Sequence, residues 1–146
     1  MNAVRAVAAF GEEAAPEVLS LAEGEAWWVA QVWGAWRTLI LMIDEPQGPP
    51  LSQATLERVR RLVRGHLTTG LADPEAMGHT PVSRAGILQE AASLALALDD
   101  PPLRELVTSL ARDPEAVRRL GVEDSSAVER VQRHAAEALA RPPRRR

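Results

Sequence analysis

Residues 26–43 read AWWVAQVWGAWRTLILMI, eighteen residues with a single charge at Arg37. No part of this stretch alternates with the period-2 pattern of a half-buried strand, whereas its apolar residues recur at three and four, as on a helix. At 100° per residue Trp28, Val29, Val32, Trp33, Trp36, Leu39, Ile40 and Ile43 fall in one broad arc. Beside it Ala26, Ala30 and Gly34 recur every four residues and form a smooth seam, the spacing at which small residues let a second helix approach closely. This seam, flanked by Trp27, Trp33 and Trp36, is the candidate core or interface. A membrane span is disfavoured. Gln31 is central, Arg37 would cost about 2.5–3.5 kcal/mol in hydrocarbon, and the Trp residues are spread along the segment rather than held at its ends.

Outward from this helix the periodicity stays helical, and prolines after acidic or hydroxyl residues punctuate it. Asp73-Pro74-Glu75, Thr80-Pro81, Asp100-Pro101 and Asp113-Pro114-Glu115 each read as a helix start, because Pro is tolerated at the first helical position and the preceding side chain can accept orphan backbone N–H groups. The spacing predicts a short helix over Ala3–Phe10, a long one ending near Ile43 and a break at Pro46–Pro50. Further helices are expected over Gln53–Leu67, Pro81–Leu98, Leu103–Ala111 and Ser126–Ala140, with single turns at Pro74–Met77 and Pro114–Leu120. The expected fold is all-α: one bundle of five to six helices over residues 1–140, built around a buried Trp-rich central helix, then a basic disordered tail over 141–146.

Composition excludes several chemistries. The chain has 146 residues, 46% of them hydrophobic, enough to build a core without disulfides or a structural metal. It has no Cys, and so no thiolate zinc site, iron–sulfur cluster, disulfide or cysteine nucleophile. Every basic residue is Arg, which removes Schiff-base and Walker lysines. Seventeen basic against twenty acidic residues give a net charge of −3, so no chain-wide basic field advertises nucleic acid. The charge is divided: residues 1–50 carry two Arg against seven acids, and residues 51–146 carry fifteen Arg against thirteen. The stretch before Glu12 and Glu13 forms no secretory signal, which makes the cytoplasm the expected location.

Gln53–Leu67 is amphipathic, with Leu56, Val59, Leu62, Val63 and Leu67 expected inside. Arg58, Arg60, Arg61 and Arg64 are expected outside, as is a Glu57–Arg61 pair at i,i+4. Pro81–Leu98 is apolar almost all round, leaving Gly86, Gln89, Glu90 and Ser93 as a narrow exposed strip. Two such apolar helices in so small a chain suggest a homo-oligomer.

Three His are present, His66, His79 and His134, with no i,i+4 pair bracketing a Glu, so no metal or other cofactor is expected. Arg61-Leu62-Val63-Arg64-Gly65-His66 has the Arg, four residues, His spacing, and over these six residues resembles the HEPN-family ribonucleases, which are also all-α. The resemblance implies that Arg61 would stabilise a developing phosphorane charge and His66 would move the proton, across a dimer face. Leu62 stands where that family usually has a polar residue. Leu103–Ala140 can be read as a helix-turn-helix whose last helix carries Arg130, Arg133, His134 and Arg141, although Glu123 and Asp124 after the turn would meet phosphates unfavourably. The polyanion-binding candidates are Arg58, Arg61, Arg64, Arg130, Arg133, Arg141, Arg144, Arg145 and Arg146. There is no Gly-rich phosphate loop and no serine elbow. The expectation is a non-enzymatic helical interaction or accessory protein, a homo-oligomer or a small subunit of a complex. A helix-turn-helix-like nucleic-acid binder is the second reading, and a HEPN-like ribonuclease the third.

Overall fold

The computed structural model describes residues 3–25, 29–69 and 81–142. Among them the chain is all-α: α1 (Ala3–Ala8), α2 (Ala15–Ser20), α3 (Val29–Asp44), α4 (Gln53–Thr68), α5 (Pro81–Ala97), α6 (Pro101–Arg112), α7 (Pro114–Arg118) and α8 (Ser125–Ala140). A 3-10 turn, Gly11–Glu13, precedes α2, and a π-helical turn, Leu21–Glu25, follows it. The expected single turn at Pro74–Met77, the starts at Asp73 and Thr80, Ala26, Trp27, Trp28, His79 and Arg144–Arg146 lie outside the described residues.

The caps follow from local chemistry. Asp100 Oδ1 accepts from Leu103 N at 3.4 Å with Pro101 and Pro102 in the first turn of α6, and Asp113 Oδ1 accepts from Glu115 N at 3.0 Å ahead of Pro114. Asp124 caps α8 through Ala127 N at 2.9 Å, and the helix begins at Ser125, one residue before the expected Ser126. Ser52 caps α4 through Thr55 N at 3.2 Å. The amphipathic helices α4, α6 and α8 then bury one stripe each. In α6 it is Leu103, Val107 and Leu110, and in α8 Val128, Val131 and Ala135. Burying each Leu or Val of this kind is worth about 1.5–3 kcal/mol.

The hub is α5, which touches α3, α4, α6 and α8. The Trp helix α3 packs against α5, α1, α2 and the π-helical turn, with Val32, Trp36 and Leu39 buried. Its contact with α5 uses Gly86: a Cβ there would lie 2.4 Å from Cζ2 of Trp33, so only a glycine lets the indole rest on the α5 backbone. That corrects the expected exposed strip, because Gly86 is covered by Trp33 and Gln89, Glu90 and Ser93 are all half-buried. Gly34, the seam residue whose surroundings are described, is not used in this way; nothing among the described residues stands within 4 Å of its would-be Cβ. Among the described residues six helices match the expected ones, α7 is the expected single turn after Asp113, and α2 is a further short helix.

One chain crossing fixes the end of the bundle. Gly11 (φ +55°) abuts Pro49, and a Cβ on Gly48 would lie 2.2 Å from the Ala9 carbonyl oxygen. Glu12 N donates to Pro49 O at 3.1 Å. The Glu12 carboxylate accepts from Thr55 Oγ1 at 2.7 Å, Ser52 Oγ at 2.8 Å and Ser52 N at 3.0 Å, which together hold its pKa below the ordinary value.

Candidate functional site

Beside this crossing lies a cavity of about 200 Å³ walled by Met42, Ile43, Pro46, Pro50, Leu56 and Leu98. Leu51 and Arg60 complete the wall. The Arg60 guanidinium is already matched, with Nη1 3.0 Å from Glu57 Oε1 and Nε 3.6 Å from Asp100 Oδ2. The pocket therefore offers apolar surface with no unmatched charge from Arg60. It is also below the roughly 300–1,000 Å³ typical of cofactor sites. Across the same loop Phe10, between Ala9 and Gly11, is 58% exposed, and Val7 near the end of α1 is 38% exposed. Phe10 is the chain's single Phe, and there is no Tyr.

The candidate Arg residues do not form one unbroken basic face. Arg58 makes a forked pair with Glu23, 2.7 Å from Nε to Oε1 and 3.1 Å from Nη2 to Oε2, a geometry that holds the guanidinium against the π-helical turn. Glu57 pairs with Arg60 rather than with the expected Arg61. Arg61 and Arg64 are exposed on α4, and Arg130, Arg133 and Arg141 are exposed on or just after α8. On α8 the exposed Arg130 and Arg133 are interspersed with exposed Glu129 and Glu137. The helices α4 and α8 share α5 and α6 as neighbours rather than packing on each other.

The Arg61–His66 spacing is likewise split between surface and core. His66 is only 9% exposed and meets Trp36 edge to face, ring centroids 5.0 Å apart at 90°, while Arg61 points outward. A proton-transfer role would need His66 at a substrate; here its ring fills core space beside a Trp36 that is wholly buried. The indole Nε1 atoms of Trp33 and Trp36 are buried and have no hydrogen-bond partner among the described residues.

One polar pair joins residues that sequence spacing does not connect. Ser93 Oγ on α5 and His134 Nε2 on α8 lie 2.8 Å apart. Burial is the main cause that lowers the His134 pKa from 6.5, and nearby Glu90 pulls the other way. A serine on a histidine suggests an activated nucleophile, but Ser93 lies inside α5, where backbone N–H groups are engaged in the helix and cannot line an oxyanion hole. The pair works as a tie between the hub and α8. Because the unfolded chain protonates this histidine more readily, stability is full above pH 6.5 and falls as pH drops below 6.5 toward the lower folded value. Urea midpoints measured between pH 7.5 and 5 are expected to show that fall, and the part due to this group should vanish in His134→Gln. An identical pH profile in that variant would refute the assignment.

Among the described residues no three His, Asp or Glu side chains converge as a metal site, and no helix is long and apolar enough to cross a membrane. Comparison with known proteins found no matching family model, no similar curated protein and no similar solved structure.

Proposed function

We propose that this chain is a non-enzymatic helical protein that acts by contact with other proteins in the cytoplasm, as a homo-oligomer or as a small subunit of an assembly. The observation that supports this reading is the end of the bundle, where an exposed aromatic side chain and an apolar cavity flank one loop. Such features are matched to a protein surface, whereas a substrate site would gather convergent polar groups. The titratable groups that suggest chemistry serve the fold: His66 packs on Trp36, and Ser93 and His134 bind each other.

The test is light scattering after size exclusion at low salt, with and without a mixed pool of short DNA and RNA. The expected result is a mass above that of the 15.9 kDa monomer, unchanged by nucleic acid. A mass increase with nucleic acid that disappears at moderate salt would replace this reading with polyanion binding. Cleavage of the RNA that is lost in Arg61→Ala, a surface change that leaves the core intact, would replace it with a ribonuclease.

A further inference from the structure

We infer that the 200 Å³ cavity receives Phe10 from a second copy of this chain, so that two copies exchange aromatic knobs reciprocally. This inference rests on the contact-protein reading and names its partner and its surface.

Size is the first argument. An apolar protein cavity of about 150 Å³ holds a benzene molecule, so one of about 200 Å³ suits a benzyl side chain. The other described aromatic side chains cannot be donors, since Trp36 is fully buried and Trp33 is pressed against Gly86. Phe10, 58% exposed, can.

Charge is the second. With Arg60 held by Glu57 and Asp100, the socket wall favours an uncharged occupant. The rim carries both signs, Arg64 one turn beyond Arg60 on α4 against Asp99 beside Leu98 and Asp44 and Glu45 between Ile43 and Pro46, so no charged occupant is selected.

Symmetry is the third. An isologous dimer needs both halves of the contact within one patch. Here they share a loop: Pro46, Pro50 and Leu51 line the cavity, while Gly48 and Pro49 hold Ala9 and Gly11 on either side of Phe10. Reciprocal insertion would thus close a dimer and leave no knob or socket open for chain growth.

The experiment is sedimentation equilibrium on the full chain and three variants: Phe10→Ala, Phe10→Leu, and Leu56→Trp, which fills the socket from its own wall. The wild type is expected to form a concentration-dependent dimer. Phe10→Ala should weaken it by roughly 30-fold or more, the effect of a hot-spot aromatic, and Phe10→Leu by less. Phe10 is exposed, so circular dichroism of its variants should match the wild type. Leu56→Trp should also weaken the dimer, and a mixture of Phe10→Ala with Leu56→Trp should recover part of the affinity, because that hybrid keeps one knob and one socket. A wild type that is monomeric into the hundreds of micromolar would overturn the inference. A dimer indifferent to Phe10→Ala would also overturn it while leaving the contact-protein reading in place through another face.

Discussion

Gly11→Ala is expected to destabilise the protein by about 2–5 kcal/mol, read as a large drop in the urea midpoint. Two costs combine. The left-handed φ of +55° at Gly11 disfavours any Cβ, and that Cβ would lie 2.2 Å from the Pro49 carbonyl oxygen and 2.9 Å from its nitrogen. Both neighbours are backbone and cannot rotate away as a side-chain tip would. Moving them would disturb the Glu12 N to Pro49 O bond and, through Glu12, the three hydrogen bonds that reach Ser52 and Thr55 at the start of α4. Gly34→Ala is the internal control. It sits within α3 with open space at its would-be Cβ, so the change should stabilise by about 0.5–1 kcal/mol through helix propensity alone. Equal responses of the two variants would mean that the crossing of residues 9–12 with 46–50 does not hold this end together.

Where a feature depends on neighbours in the chain, it was legible in the sequence. Asp100 and Asp113 are caps because an acceptor followed by Pro is a complete local instruction, and the α4, α6 and α8 stripes follow from 3.6-residue periodicity. The mistakes lie where a distant residue decides. Gly86 reads as part of an exposed strip because a glycine carries no sign of what covers it, and what covers it is Trp33, 53 positions away in sequence. Which apolar faces of α3 and α5 meet is likewise settled by packing, since both helices are apolar on most sides. Ser93 and His134 are separated by 41 positions, and no spacing rule connects them. The candidate site is not among the sequence candidates: Phe10 enters there only as the end of the first helix, and its exposure and the cavity beyond the proline loop are products of packing.

Trp36→Ala is expected to cost about 3–5 kcal/mol, a large share of the roughly 5–15 kcal/mol available to a domain. The side chain is 0% exposed and among the largest fully buried ones, so truncation leaves a cavity in a helix held from both sides by α5 and by α1 and α2. It also breaks the edge-to-face contact with His66, worth about 0.5–1.5 kcal/mol beyond area. Trp36→Phe separates the contributions. It keeps an aromatic ring and removes a buried indole N–H that has no partner among the described residues, relieving a desolvation cost of about 1–3 kcal/mol while giving up some apolar contact. The two changes oppose each other, so the Phe variant should fall within about 1–2 kcal/mol of the wild type in urea unfolding. If Phe proved as damaging as Ala, the indole N–H would have to be making a bond that matters, and the interior between α3 and α4 would be polar there. If Ala proved harmless, Trp36 would not be core at all, and the aromatic stripe of α3 would belong to a surface that faces a partner.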